Sequence, residues 1–327
     1  MCNKKLSDSQ KFTDISSQLE LLRKRNLIID DENKARHHLT YYGYYNTINA
    51  YKTPYVCSDE TGKEKYIEGT TFNDIVSLFN FDYEIRTAIY KIITDVEMHL
   101  KANLAHIIAK NHTHEFAEYA NPKNYKNSNP SRGTYKLSDV IEELKEAYKS
   151  KKDPIKHNRE KYNNVPPWVL FKGVYFSTVI NLVRYLKSSE KEELVRMYYE
   201  ISDSKFEQLE NNQKELIKRS FLNSLLLLKK FRNSCSHCGR IYTLNGSKQI
   251  RTDEINLLLK VIGRNQSYKW KPNTGIDELA LALSPMREDY LNDLSHTITT
   301  GMNKYFKNEF NKNKILKMMG HFASIEI

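Results

Sequence analysis

Cysteine, proline and glycine are all scarce in this chain of 327 residues, which contains 4 cysteines, 8 prolines and 11 glycines. Cys2, Cys57, Cys235 and Cys238 are too few and too scattered for the disulfide scaffold of a secreted protein, so we expect reduced thiols. Few glycines and prolines also mean few turns, which favours long helices over a many-stranded sandwich. The sequence therefore predicts an all-α fold.

Long apolar runs are also missing. The longest one, at residues 225–228, is far too short to cross a bilayer. The polar residues 1–10 contain no apolar stretch that could serve as a signal peptide. We therefore expect a cytoplasmic protein with no membrane partner.

Positive charge is what the sequence has in excess, because 51 Lys and Arg stand against 40 Asp and Glu, for a formal net charge of +11. Such a surplus predicts an anionic partner, most simply a phosphate backbone, although a basic surface can also serve solubility alone. Cations cluster within the polar segment 121–164, which is either a solvated loop or a phosphate-binding patch. These cations are Lys149, Lys151, Lys152, Lys156, Arg159 and Lys161.

Helical periodicity divides the chain into three parts. Residues 1–70 predict an N-terminal helical module, with one helix capped by Asp30 or Asp31 and a loop or short hairpin over 53–70. Residues 71–245 predict a helical core, and residues 246–327 predict a C-terminal helical extension.

The predicted core contains a basic insertion near 121–164. Its longest helix begins at Phe72 behind a threonine cap. A further helix is predicted to open at Pro166 and to run to Leu186, since proline suits the first helical turn.

The most informative segment is the end of a helix predicted over residues 213–238. An apolar face runs to Leu228, and Arg232 continues that face four residues later. A guanidinium on an apolar face is costly unless an anion meets it, and its fork suits a phosphate. His237 can move protons near neutral pH, and Gly239 predicts the end of the helix. The two side chains are about 140° apart around the helix, so they can flank a groove.

This segment and several others carry a resemblance to known proteins. Residues 231–237, FRNSCSH, resemble the R-x4–6-H motif of HEPN ribonucleases in its RN-x3-H form. The wider chain, over roughly residues 10–245, resembles the Abi family of abortive-infection phage-resistance proteins, of the AbiD/AbiF type. The segments that carry this likeness are 39–42 (LTYY), 51–55 (YKTPY), 69–72 (GTTF), 81–86 (FDYEIR), 96–97 (VE), 167–168 (PW) and 240–242 (RIY).

The resemblance implies a HEPN-type four-helix core, a homodimer, and RNA cleavage without a metal or other cofactor. His237 would be the general base on the ribose 2′-hydroxyl, Arg232 would bind the scissile phosphate, and Asn233 would position the reacting groups. The product would be a 2′,3′-cyclic phosphate, and DNA should resist cleavage. Some relatives are paired with a structured non-coding RNA that restrains them, in the manner of a toxin and its antitoxin. Arg240 would add to the RNA-binding surface.

Three polar residues of the long helix are further candidates. Asp82, Arg86 and Glu97 are expected to be buried, either as polar partners of Arg232 or as an ordinary core salt-bridge network. Lys101 departs from the pattern of the family, whose members often have arginine there. Lysine lacks the planar fork of arginine, which puts a role for this position in doubt.

Other functions remain open from the sequence. Cys235, His237 and Cys238 could bind a metal, but structural zinc needs four ligands, and no second C-x2-C or H-x3-H pair exists. We therefore expect no metal. A non-catalytic RNA-binding or scaffold protein would use the same basic surface. A DNA-binding regulator that uses the N-terminal helices is a third hypothesis.

Overall fold

A computed structural model describes residues 12–126 and 135–325. Across these residues the regular elements are helices apart from one two-stranded antiparallel sheet and one isolated bridge between Ile28 and Thr71. The all-α class expected from the sequence is therefore confirmed. Residues 1–11, 127–134 and 326–327, which belong to the predicted N-terminal module, basic insertion and C-terminal extension, lie outside the described residues.

The chain folds into two compact units. One comprises Met1–Ile85 and Thr297–Met318, and the other comprises Arg86–His296 and Met319–Ile327. The three-part division by sequence has different bounds and stays a prediction. Two helices, α3 (Phe72–His112) and α14 (Glu288–Tyr305), contribute residues to both units.

The first unit begins with α1 (Ile15–Lys24) and α2 (Glu32–Tyr42). A π-helical turn (Tyr45–Asn49) and a 3-10 turn (Thr53–Tyr55) lead into a hairpin of β1 (Val56–Ser58) and β2 (Glu64–Tyr66), before α3. In the hairpin register Val56 pairs with Tyr66. The helix α15 (Glu309–Met319) follows α14 near the end of the chain.

Side-chain caps explain where these helices begin. The Asp31 carboxylate accepts a hydrogen bond from the Lys34 N–H at 3.0 Å, as expected for the cap of α2. At the start of α3 the Thr71 N–H donates to Asp74 at 2.8 Å, and the Asp74 N–H donates to the Thr71 hydroxyl at 3.1 Å. This reciprocal pair confirms the predicted threonine cap.

The second unit holds the remaining helices around α11 (Asn211–Ser236). This helix packs on α8 (Phe176–Tyr185), α9 (Ser188–Tyr198), α12 (Thr252–Val261) and α13 (Gly275–Leu283). Ile217, Phe221, Leu225 and Leu228 are buried on the inward side of α11, as its periodicity predicts. The other helices of this unit, in chain order, are α4 (Phe116–Tyr119), α5 (Leu137–Tyr148), α6 (Ile155–Tyr162), α7 (Pro167–Leu170), α8 (Phe176–Tyr185), α9 (Ser188–Tyr198), α10 (Asp203–Glu207), α12 (Thr252–Val261), α13 (Gly275–Leu283) and α16 (His321–Ile325).

Two expectations need correction. The single helix predicted from Pro166 to Leu186 is broken into α7, a 3-10 turn (Phe171–Gly173) and α8. A Cβ at Gly173 would lie 2.5 Å from the Ile155 side chain, so close packing against α6 fixes the chain there. A solvated loop is also the wrong description of 137–162, because α5 and α6 bury apolar side chains such as Leu144.

No helix within residues 12–126 and 135–325 is long and apolar enough to cross a membrane.

Candidate functional site

The end of α11 is a Schellman motif built around the candidate residues. His237 follows the last helical residue, and Cys238 adopts a left-handed conformation with φ 54°. The Cys238 N–H donates to the Cys235 carbonyl at 3.3 Å, and the Gly239 N–H donates to the Ser234 carbonyl at 2.8 Å. The sequence places Gly239 at the end of the helix. The left-handed residue is instead Cys238, and a Cβ at Gly239 would lie 3.1 Å from the Ser234 oxygen.

Arg232, Asn233 and His237 are brought together at this helix end. Arg232 is half-buried beside the core, whereas Asn233 and His237 are exposed. Their backbone is tied into the helix end, since the His237 N–H donates to the Asn233 carbonyl at 3.1 Å. The three side chains form no hydrogen bond or ion pair with any residue that the structure describes. They are therefore available to a ligand.

Arg86 holds the turn that follows His237. It is buried on α3, and its guanidinium donates to the Gly239 carbonyl at 3.3 Å. This contact ties the turn to a second helix of the same unit.

The expected acidic partners of Arg232 are engaged elsewhere. Glu97 is half-buried rather than buried, and it pairs with Lys101 at 2.7 Å. Asp82 is buried as expected, but it belongs to the first unit, where its carboxylate accepts a hydrogen bond from the Tyr51 hydroxyl at 2.7 Å. Within the second unit the guanidinium of Arg232 is therefore not neutralised by either candidate carboxylate that the sequence suggested.

A cationic face lies beside Arg232, formed by Arg184 on α8, Lys191 on α9 and Lys229 on α11. Lys229 precedes Arg232 by almost one turn; burial and the nearby Arg184 guanidinium lower its pKa. Lys191 donates to the Arg184 carbonyl at 3.1 Å, and burial together with neighbouring cations, first Lys126, lowers its pKa to about 8. Like charges held this close repel each other, so a bound anion would stabilise the face. Sequence reasoning missed it because it depends on the packing of three helices.

Two cations of the basic patch predicted within 121–164 already have partners inside the protein. Lys149 pairs with Glu146 at 2.7 Å. The Arg159 guanidinium donates to the backbone carbonyls of Tyr148 and Ser150, which joins α5 to α6. These two cations therefore have structural roles.

The remaining cations of the patch keep exposed charges. Lys151, Lys152 and Lys156 have no side-chain partner among the described residues, and Lys161 lies 5.1 Å from the centroid of the Tyr162 ring. A cavity of about 850 Å³ beside α5 has acidic walls, however, with carboxylates outnumbering cations. Arg240, outside this patch, is half-buried and lies 5.7 Å from the centroid of the Tyr242 ring.

The two cysteines beside His237 differ in their exposure. Cys235 is buried, whereas Cys238 is exposed. In the part of the chain that the structure describes, no three His, Cys, Asp or Glu side chains lie together as a possible metal-binding group.

Comparison with known proteins yields one match. The model of the Abi-like protein family matches residues 37–243, well over half of the chain, and this range includes all of α11 and the turn after it. No curated protein and no solved structure matches the chain.

Proposed function

Because the chain belongs to the Abi-like protein family, which associates it with abortive infection as a defence against phage, we propose that it is an endoribonuclease of such a system. One observation carries this proposal. Arg232 and His237 stand at the end of one helix, with unpartnered side chains, beside a cationic face. An available imidazole and guanidinium on a basic surface are the groups that RNA cleavage without a metal requires.

In the proposed reaction the neutral imidazole of His237 takes the proton of a ribose 2′-hydroxyl. The 2′-oxygen attacks the adjacent phosphorus, the bond to the 5′-oxygen breaks, and that oxygen leaves with a proton from water. The Arg232 guanidinium binds the phosphate and stabilises its developing negative charge, while Asn233 orients the hydroxyl. The products are a 2′,3′-cyclic phosphate and a 5′-hydroxyl end.

We also propose that the chain is a HEPN ribonuclease of the AbiD/AbiF type. The RN-x3-H form of the segment supports membership of the HEPN ribonucleases, and the ordered segments support the AbiD/AbiF type. We further propose that a structured non-coding RNA restrains the enzyme in the cytoplasm, as an antitoxin restrains a toxin. The unneutralised cations of the second unit suit such a polyanion.

A homodimer would complete each pocket. Five residues of helix place His237 about 7.5 Å along the axis and about 140° around it from Arg232, so within one chain the two side chains leave different sides of the helix. Two copies that meet across a twofold axis could supply the arginine and the histidine from different chains. Partial activity in a mixture of Arg232→Ala and His237→Ala proteins would support this arrangement, and an active monomer at nanomolar dilution would refute it.

The experiment that tests the proposal is single-turnover cleavage of a labelled RNA of mixed sequence, in EDTA. We expect the wild type to leave 2′,3′-cyclic phosphate ends, and His237→Ala to cut at least about 100-fold more slowly, because a general base contributes about 10²–10⁴-fold. His157→Ala removes an exposed histidine of α6 and serves as the matched control. Substrate with a 2′-deoxy sugar at the cleaved position should stay intact.

A non-catalytic RNA-binding protein is the second candidate. The cationic face of Arg184, Lys191 and Lys229 supports RNA binding whether or not the RNA is then cut. Tight RNA binding by wild type and His237→Ala protein, with no cleavage by either, would overturn the ribonuclease proposal in favour of this one.

A further inference from the structure

A large groove lies in the second unit, beyond the segment that the family model matches. It is formed by the chain that follows the α11 turn, the start of α12 and the segment 268–274, and it encloses about 900 Å³. Its volume falls within the range of roughly 300–1,000 Å³ that is usual for ligand sites. None of its lining residues belongs to the Arg232–His237 segment.

The walls of the groove are strongly basic. Four cations line it, Lys248, Arg251, Lys269 and Lys271, and all four side chains are exposed. Within the described residues none of them has a side-chain hydrogen bond or an ion pair. This charge is not used inside the protein, so it is available to an anion.

The acids of the groove do not cancel this charge. Glu278 is buried, and its carboxylate accepts hydrogen bonds from the Ser247 N–H at 2.8 Å, the Ser247 hydroxyl at 2.6 Å and the Lys248 N–H at 2.7 Å. It therefore anchors one wall of the groove, and Asp253 is the other acid that lines it. A Cβ at Gly246 would lie 2.2 Å from the same carboxylate, which shows how closely this wall packs.

Two aromatic rings also line the groove. Tyr268 and Trp270 meet edge to face, with ring centroids 5.4 Å apart, and His321 stacks on the indole at 5.9 Å with an interplanar angle of 27°. The backbone beneath them is fixed, because the Asn256 side chain bonds both the N–H and the carbonyl of Tyr268, at 2.9 and 2.8 Å. The rings thus form a preorganised stacking surface rather than a flexible loop.

We propose that this groove is a second RNA-binding site, which takes a single-stranded segment with a base stacked on Trp270 and its phosphates on the surrounding lysines and arginine. Aromatic rings set among cations are how proteins hold single strands without reading their sequence, since every base has a face to stack. A duplex hides those faces. The choice of RNA over DNA rests on the proposed function, whereas the binding mode rests on the groove alone.

Intrinsic fluorescence tests this directly, because the chain contains 2 tryptophans. Trp168→Phe leaves Trp270 as the reporter, and Trp270→Phe leaves Trp168, which is 53% exposed and lies outside the groove. Both proteins also carry His237→Ala, and the probe is a single-stranded 2′-O-methyl RNA 10-mer, which cannot be cleaved by 2′-hydroxyl attack. We expect saturable quenching of Trp270 and none of Trp168.

Charge reversal gives the second measurement. Lys269→Glu with Lys271→Glu should weaken binding of the 10-mer, followed by anisotropy, by about 10-fold or more and should reduce its salt dependence. Lys123→Glu with Lys260→Glu makes the same change in charge at exposed lysines outside the groove, and should have a clearly smaller effect.

Several outcomes would overturn the inference. They are no binding of the 10-mer, binding without a change in Trp270 fluorescence, equal weakening by both double variants, and equal quenching by a 10-base-pair duplex. The outcome is separable from the proposed function. If the 10-mer binds at Trp270 but the wild-type protein never cuts RNA, the binding site in the groove is supported and the ribonuclease proposal is refuted. If the wild-type protein cuts RNA but Trp270 fluorescence does not change, the ribonuclease proposal is supported and the binding site is refuted.

Discussion

Replacing Cys238 by glycine tests how the end of α11 is built. Cys238 has φ 54°, a left-handed conformation in which a Cβ approaches the following carbonyl oxygen at a cost of about 1–2 kcal/mol. Glycine removes that cost. Glycine also adds about 0.4–1 kcal/mol of conformational entropy to the unfolded chain, which offsets part of the gain. The Cys238 thiol is exposed, so its loss removes little packing.

We therefore expect Cys238→Gly to raise the free energy of unfolding by about 0.5–1 kcal/mol relative to Cys238→Ala, which keeps the Cβ in place. Urea unfolding, followed by circular dichroism, measures the difference. Cys57 is the matched control, an exposed cysteine in the extended strand β1, where glycine should be less stable than alanine. A glycine variant at 238 no more stable than the alanine variant would refute the strained cap.

Two further stability predictions concern the second unit, at the half-buried Lys191 and the buried Glu278. The pKa of Lys191 is lowered to about 8 from an ordinary 10.5, so the unfolded chain binds more protons between these pH values. The free energy of unfolding should therefore rise with pH across this window. Lys191→Met should stabilise the protein more at pH 7 than at pH 11, as measured by urea unfolding. An equal effect at both pH values would contradict this. Glu278→Gln should lower the free energy of unfolding by about 1–3 kcal/mol, because one amide group cannot accept all three hydrogen bonds from Ser247 and Lys248. Thermal unfolding would check this, with Asp253→Asn, an exposed acid of the same groove, as the control that should change little.

Features set by neighbouring residues were predictable from the sequence. Asp31 and Thr71 cap their helices because a short polar side chain reaches the first free N–H groups within three residues. The apolar face of α11 follows from the spacing of its leucines and phenylalanines. The same spacing predicts that Arg232 continues that face, and in the structure Arg232 is half-buried.

Features set by distant residues were not predictable. The break between α7 and α8 depends on Gly173 packing against Ile155, which lies on another helix. Arg184 lies near both Lys191 and Lys229 only because α8 and α9 pack beside α11. The groove around Trp270 likewise combines segments that no local pattern connects, and the sequence alone indicated only that this region is helical.

The positive potential near Arg232 depends on which local acids are already paired. Glu97 pairs with Lys101, while Arg184 and Lys229 have no carboxylate partner among the described residues. Lys229→Glu would place a carboxylate three residues before Arg232, where the two can pair along the helix. We expect this variant to lose most RNA cleavage, since the new acid would compete with the phosphate for the guanidinium. Lys229→Met, which removes the charge without adding an acid, should lose much less. Equal losses in the two variants would refute pairing with Arg232 as the cause of the loss.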